Sequence, residues 1–189
     1  MEKFLVEVSA HHIHLNEEAV NTLFGEGYQL QHKVELSQPG QFACQEKVTV
    51  RTEKGEMTMR VLGPTRSKNQ IEISLTDTRK LGVPGVVRDS GNVAGTPGCT
   101  LVGPKGELKI DEGIIVAKRH VHMTPKDAAA YGVKDGDIVS VKIDTPERSL
   151  IFGDTLIRVS NNYALAMHLD TDEANAAGIK GTSQGEIVK

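Results

Sequence analysis

The chain has 189 residues, of which 38% are hydrophobic and 25% are charged, a composition that fits a soluble globular protein with one large or two small domains. The formal net charge is −3 and no basic run is present, which argues against nucleic acid or an anionic membrane as a partner bound through bulk charge. No apolar run approaches the length of a membrane-spanning helix, and two cysteines are too few for a disulfide framework. We therefore expect a cytoplasmic protein with free thiols.

The first predicted elements present a pair of histidines. Residues 4–9 predict a strand, and a helix is expected from about Asn16 to one of the glycines in Gly25-Glu26-Gly27. Side chains alternate between the two faces of an extended strand, so His12 and His14 should share one face. Such a pair is able to hold one metal ion.

The next elements supply a candidate carboxylate. Alternating apolar residues around a glycine turn predict a hairpin from residues 47–51 and 57–62, and a further strand over residues 70–75. Glu72 lies on the face of that strand opposite its apolar residues, which makes it a candidate third ligand. An exposed strand glutamate is the alternative interpretation.

The middle of the chain predicts a long loop and a second hairpin. Residues 81–98 are rich in glycine, proline and small polar residues, typical either of a functional loop or of a plain surface connection. Residues 99–102 and 107–110 predict the hairpin. Residues 114–117 predict the strand that precedes Lys118-Arg119-His120-Val121-His122.

The last third predicts a second helix, then strands. Residues 150–152 and 155–159 are two of these strands, and a third histidine, His168, follows them. The tail from Gly181 is expected to be frayed. Many short strands with few, short helices predict a mainly β protein of two β-barrel domains capped by short α-helices, and the recurring histidines suggest two related halves that divide near residue 112.

Three histidines stand in one recurrent context, in which a large apolar residue and a residue of helix N-cap type follow each of them. With His12 and His120, each two residues before one of the three, they make up five of the seven histidines. This recurrence favours metal ligands over surface or core histidines, and imidazole ligands favour zinc. The three fragments are His14-Leu15-Asn16, His122-Met123-Thr124 and His168-Leu169-Asp170.

The ligands divide into two candidate groups. His120, His122 and His168 would suffice for a zinc site with one open position. His12 and His14 need a further ligand, for which Glu72 is the candidate.

The chemistry suggested by these residues involves no enzyme nucleophile. Gly-x-Ser-x-Gly, His-Glu-x-x-His and Walker motifs are absent from the sequence. Arg66 is a permanently charged, bidentate donor of the kind that inorganic phosphate requires, although an arginine is usually a solvated surface residue. Metals and an arginine that activate a nucleophile of the substrate fit this pattern better than a covalent enzyme intermediate.

Several motifs together resemble the PduL-type phosphotransacylases, also called phosphate propanoyltransferases, over about residues 5–180. The motifs are Val8-Ser9-Ala10-His11-His12-Ile13-His14-Leu15, Leu62-Gly63-Pro64-Thr65-Arg66 with Gln70-Ile71-Glu72-Ile73-Ser74, Arg88-Asp89-Ser90-Gly91, and Ala117-Lys118-Arg119-His120-Val121-His122-Met123.

The resemblance implies a two-zinc enzyme that interconverts acyl-CoA (propanoyl-CoA or acetyl-CoA) and phosphate with acyl phosphate and coenzyme A. It implies that Arg66 is a catalytic arginine that holds phosphate and that Ser90 and Arg158 contact coenzyme A. It also implies two zinc sites, one formed by His12, His14 and Glu72 and the other formed by His120, His122 and His168.

The resemblance also implies an architecture and a setting. Residues 11–117 would form a central β-barrel domain, and residues 118–189, joined by the strand at 1–10, a second one. A homodimer is expected, in the cytoplasm, with a microcompartment lumen as its location only if a targeting extension has been removed. The family usually has Asn-Arg where this chain has Ala10-His11, so a cation next to the first ligand pair has become titratable.

Two other functions remain compatible with the residues. A zinc-dependent thioester hydrolase would use water in place of phosphate. A non-catalytic, zinc-stabilised β-barrel module would use the same histidines for stability alone.

Overall fold

Strands dominate the structure, a computed structural model that describes residues 2–188. Over these residues, strand accounts for 42% and helix for 15%, arranged as a closed six-stranded barrel, a curled half-barrel sheet and four short helices. The predicted fold class, mainly β with short helices, is confirmed, with one closed barrel and, in place of a second closed barrel, a half-barrel sheet. Among the helices of this described part, none has the length and apolar character needed to cross a bilayer.

The elements are named in chain order. They are β1 (Phe4–Val8), β2 (His12–His14), α1 (Glu17–Phe24), β3 (His32–Glu35), β4 (Phe42–Arg51), β5 (Glu56–Gly63), β6 (Gln70–Glu72), α2 (Leu75–Leu81), β7 (Val87–Arg88), β8 (Cys99–Val102), β9 (Glu107–Ile110), β10 (Ile114–Ala117), β11 (His120–Met123), α3 (Pro125–Tyr131), β12 (Ile138–Ile143), β13 (Leu150–Val159), β14 (Ala166–Leu169), α4 (Thr171–Ala176) and β15 (Thr182–Val188).

The chain divides into two units, each with its own hydrophobic core. The barrel unit contains residues 2–10, 37–39 and 118–188, and the sheet unit contains residues 11–36 and 40–117. The cores are built from Val, Ile, Leu, Met and Ala, together with a few Phe, Tyr and Cys side chains. The sequence lacks tryptophan, so aliphatic packing provides most of the buried apolar area.

The barrel unit closes its sheet in the order β1, β14, β11, β13, β12, β15. Its interior holds alternate residues of the strands, such as Val6, Val121 and Ile157, all fully buried, because successive strand residues face opposite sides. The two strands expected over residues 150–152 and 155–159 are one continuous strand, β13. Asp154 within it has a left-handed φ of 48°.

The prediction of a frayed tail from Gly181 is wrong. Strand β15 pairs antiparallel with both β1 and β12, and it closes the barrel. Its sequence is mostly polar, but its backbone is bonded on two sides and Ile187 is buried. Gly185 lies so close to the core that an added Cβ would be 2.9 Å from Val141 and 3.0 Å from Val6, so only glycine fits there without displacement of these side chains.

The sheet unit is an open sheet in the order β7, β10, β6, β2, β5, β4, β8, β9, with β3 also paired to β4. Both predicted hairpins are present, as β4–β5 and β8–β9. Helix α1 begins after its cap Asn16, whose side chain accepts a hydrogen bond from the Ala19 N–H, and ends at Gly25. The residues from 82 to 98 are mostly loop, as predicted, with the short strand β7 inside it.

The strand predicted over residues 70–75 is too long. It ends at Glu72, and Ser74 caps the helix α2 through a reciprocal pair of hydrogen bonds with Asp77. Leu75, expected on the buried face of a strand, is 50% exposed. The helix forms here because its capping box satisfies two backbone donors at the helix start. A longer strand would have buried only one further apolar side chain on the face of Ile71 and Ile73, that of Leu75.

The two units share one pattern of strand pairing. Strand β2 pairs parallel with β5 and antiparallel with β6, and β11 pairs parallel with β13 and antiparallel with β14. In the sequence, β2 follows β1 of the barrel unit, and β11 follows β10 of the sheet unit. The two preceding strands are also paired alike, since β1 pairs parallel with β14 and β10 pairs parallel with β6. The local environment of each histidine pair is therefore built in the same way.

Candidate metal centres

The barrel unit brings three histidines together. His120 and His122 lie on β11, and His168 on β14 is in register with His120. The ring centroid of His120 lies 4.6 Å from that of His122 and 5.3 Å from that of His168. One nitrogen of each ring lies within 4.8 Å of the others, so the three side chains point to a common position.

Hydrogen bonding and stacking orient the rings of this group. His120 Nδ1 lies 2.8 Å from the carbonyl oxygen of Lys118, so an Nδ1–H would donate to it and leave Nε2 to bind a metal. The ring of Tyr163 stacks on His122, with centroids 4.1 Å apart. Arg158, on β13 in register with His122, lies over the Tyr163 ring at 5.9 Å.

The sheet unit brings together two histidines and a carboxylate. His12 and His14 lie on β2, and Glu72 on β6 is in register with His12. His12 Nε2 lies 3.6 Å from Glu72 Oε2, and one ligand atom of each of the three side chains lies within 4.8 Å of the others. The two imidazoles are buried and the Glu72 side chain is 12% exposed.

The electrostatics of the sheet unit hold His14 in its neutral form. Burial, together with the nearby His12 and Arg66, lowers the pKa of His14 to about 3, against smaller opposing effects of Glu72 and the Leu62 carbonyl. A neutral imidazole is the form that binds metal. His14 is therefore available as a ligand at neutral pH.

Arg66 lies close enough to this group for its charge to act on His14. Its backbone N–H donates to the carbonyl oxygen of Leu15, at 2.8 Å, and this bond fixes the loop after β5 next to the end of β2. The structure thus places Arg66, predicted to hold phosphate, beside one candidate metal centre.

A hydrogen-bond network surrounds the carboxylate of Glu72. Gln70 Nε2 donates to Glu72 Oε1 at 2.6 Å, and the Ser90 hydroxyl donates to the same oxygen at 2.9 Å. The Gly91 N–H donates to Gln70 Oε1 at 2.7 Å. Ser90, predicted to contact coenzyme A, therefore contacts the candidate ligand.

Sequence reasoning missed Gln70 and Tyr163. Gln70 precedes Glu72 by two residues on a strand, so both side chains had to share a face, and this spacing could have identified it. Tyr163 follows β13 in a loop, and nothing in the sequence indicates that it stacks on a histidine 41 positions earlier.

The two remaining histidines lie outside both groups. His11 has its Nδ1 3.3 Å from Asp77 Oδ2. His32 Nε2 lies 2.8 Å from Glu35 Oε1 on an exposed strand.

The chemistry of the two groups fits zinc. Ligands at about 2.0–2.1 Å around a tetrahedral zinc ion lie about 3.4 Å apart, so separations of 3.6 Å and up to 4.8 Å need only small side-chain rotations. Three protein ligands also leave a fourth position open, as in catalytic zinc sites.

Comparison with known proteins defines the class. A family model described as phosphate propanoyltransferase matches residues 5–180. The chain is 53% identical over 190 residues to a phosphate propanoyltransferase of Sebaldella termitidis, covering 100% of this chain and 89% of the relative. It is 55% identical to one of Thermotoga maritima, covering 92% and 83%, and 50% identical to one of Salmonella typhimurium, covering 90% and 81%. The protein is therefore an acyltransferase.

The chain belongs to the phosphate propanoyltransferase family, as its motifs predicted.

Proposed function

We propose that this enzyme interconverts acyl-CoA and phosphate with acyl phosphate and coenzyme A, using two zinc ions per chain and propanoyl-CoA or acetyl-CoA as the acyl donor. The observation that carries the proposal is the presence, in a member of this family, of one three-ligand group in each unit, with two buried histidines and one partly buried third side chain. His12, His14 and Glu72 would hold one ion, and His120, His122 and His168 the other.

Bound zinc supplies a Lewis acid that polarises the thioester carbonyl and stabilises a departing thiolate. The protein residues supply binding and orientation. The guanidinium of Arg66 can donate two parallel hydrogen bonds to phosphate, which would hold one phosphate oxygen for attack on the acyl carbon. Since His14 stays neutral beside this cation, the local positive charge is available to the phosphate.

The proposed contacts with coenzyme A involve Ser90 and Arg158. Arg158 carries a permanent charge that suits the phosphates of coenzyme A, and its position over Tyr163 keeps it next to His122. The hydroxyl of Ser90 donates to Glu72, so a thioester bound there would lie beside a metal ligand. The homodimer, the cytoplasmic location and the domain bounds at residues 11–117 and 118–189 stay predictions.

Arg66→Ala tests the proposal. Loss of a charged bidentate donor that acts in the transition state should lower kcat/KM for phosphate by about 10²–10³-fold, while metal analysis should still find two zinc ions per chain. Arg51→Ala is the matched control, because Arg51 is a half-exposed arginine of the same unit paired with Glu107, and it should retain full activity.

Two outcomes would contradict this function. Equal loss of zinc and of activity in Arg66→Ala would make Arg66 a structural residue and not a phosphate ligand. Release of coenzyme A from acyl-CoA at the same rate with and without phosphate would identify a thioester hydrolase instead.

A further inference from the structure

One oxygen of the Glu72 carboxylate, Oε1, is the acceptor of two side-chain hydrogen bonds, from Gln70 Nε2 at 2.6 Å and from the Ser90 hydroxyl at 2.9 Å. The other oxygen, Oε2, lies toward His12, 3.6 Å from Nε2. The two oxygens of one carboxylate therefore have different surroundings.

Gln70 is the fixed member of this network. It is 3% exposed, it lies on β6 next to β2, and its own Oε1 accepts from the Gly91 N–H, which sets the orientation of the amide. Its Nε2 also lies 2.9 Å from the Ser90 hydroxyl oxygen and donates to it. Ser90 belongs to the loop and reaches Glu72 while it is held by Gln70.

The barrel unit has no amide at the corresponding position. Gln70 is in register with His14, and Ala166 is in register with His122. The third ligand there is His168, whose rigid ring offers only two nitrogens. A carboxylate can rotate and bind through one oxygen or both, so it needs a fixed neighbour to present one oxygen.

We propose that Gln70 is a positioning residue that occupies Oε1 of Glu72 and so presents Oε2 as a single-oxygen ligand to the metal of the sheet unit. The inference rests on the proposed function, because it requires metal at this site. Partners of metal ligands typically contribute 10–100-fold to metal affinity. Gln70 should contribute in this range and Ser90 less, since removal of Ser90 leaves the direct bond from Gln70.

The test measures zinc affinity at one site at a time. His168→Ala disables the barrel-unit group, and zinc binding by this parent, followed by competition with a chromophoric chelator, reports on the sheet-unit group alone. Gln70→Met is added because methionine keeps the length and volume but lacks the donor. Gln38→Met is the matched control, because Gln38 is an equally buried glutamine, hydrogen-bonded to Ala164 in the barrel unit.

We expect Gln70→Met to weaken zinc binding 10–100-fold, Ser90→Ala to weaken it a few-fold, and Gln38→Met to leave it unchanged. In a second parent, His12→Ala, only the barrel-unit group remains, and Gln70→Met should leave its zinc affinity unchanged. A structural role for Gln70 would instead lower both affinities together.

The outcomes separate the two proposals. If the His168→Ala parent binds no zinc, the proposed metal function fails and this inference fails with it. If the parent binds zinc and Gln70→Met binds it equally well, only the positioning role is overturned. If Gln70→Met does not fold, Gln70→Asn replaces it, since its amide is one methylene too short to reach Glu72, and an unchanged affinity would again overturn the role.

Discussion

The two candidate metal centres occupy corresponding positions in two differently closed sheets, yet they differ in one ligand. Glu72 and His168 each lie in register with the first histidine of their unit. A zinc ion would keep a net charge of +1 beside a carboxylate and of +2 among three neutral imidazoles. The strand pairing thus determines where a candidate ligand lies, and the residue at that register position would determine how electrophilic a bound zinc ion is.

Removal of one ligand from either unit would break the comparison most severely. His14→Ala and His122→Ala should each lose one zinc per chain, because two remaining ligands hold the ion weakly. Each should lower kcat at least about 10³-fold, equivalent to about 4 kcal/mol of transition-state stabilisation. Metal analysis and a phosphate-dependent assay measure both effects.

His32→Ala is the control for these variants, because His32 is exposed and paired with Glu35. It should keep both ions and full activity. Full activity in either ligand variant would show that the corresponding unit takes no part in catalysis.

Transfer of the carboxylate between units would sharpen the comparison. His168→Glu places a carboxylate in the barrel unit without an amide neighbour, and zinc affinity there should fall by about 10–100-fold. Addition of Ala166→Gln supplies an amide in the register position that Gln70 occupies in the sheet unit. It should raise the zinc affinity of the His168→Glu variant about tenfold. The double variant binding no better than His168→Glu would show that register alone does not transfer the interaction.

The smallest expected effect is a pH-dependent difference in stability that comes from the residues capping one helix in each unit. Ser74 and Asp170 cap α2 and α4 in the same way, but burial raises the pKa of Asp170 from 3.8 to about 6. The folded state therefore binds a proton more tightly than the unfolded state, so the stabilisation that this proton provides is complete below pH 3.8 and is lost as the pH rises through 6.

Asp170→Asn should keep the helix cap and remove the loss of stability that Asp170 causes at high pH. In metal-free protein at pH 8, we expect a gain of about 1 kcal/mol after allowance for solvent screening, or about 2–4 °C in Tm. Thermal unfolding at pH 8 and pH 3.5 measures it, and the difference between variant and wild type should be near zero at the lower pH. An equal gain at both pH values would assign the effect to packing.

The recurrent pattern of ligand, apolar residue and cap predicted most of the local structure around the candidate centres. Asn16, Thr124 and Asp170 do cap α1, α3 and α4. The pattern works because a ligand at the end of a strand and a cap at the start of the next helix are both local requirements. Metal binding by these residues stays a prediction.

The same pattern has a fourth instance, which begins with a carboxylate. Glu72-Ile73-Ser74 also reads ligand, apolar residue and cap, and it precedes α2. A pattern defined by histidine does not include this instance, and the apolar alternation at Ile71, Ile73 and Leu75 favours a strand where α2 begins. Strand β15 is not predictable in this way, since its pairing partners β1 and β12 are distant in sequence and its own residues are mostly polar.

The position of β1 has a consequence for how the protein is made. Residues 4–8 precede the whole sheet unit in the sequence, yet they pair with β14 and β15, which follow it. Contacts of such long sequence separation form slowly, and here they cannot form until β14 and β15 have left the ribosome. During synthesis β1 therefore waits for both of its partners, although the sheet unit can assemble earlier.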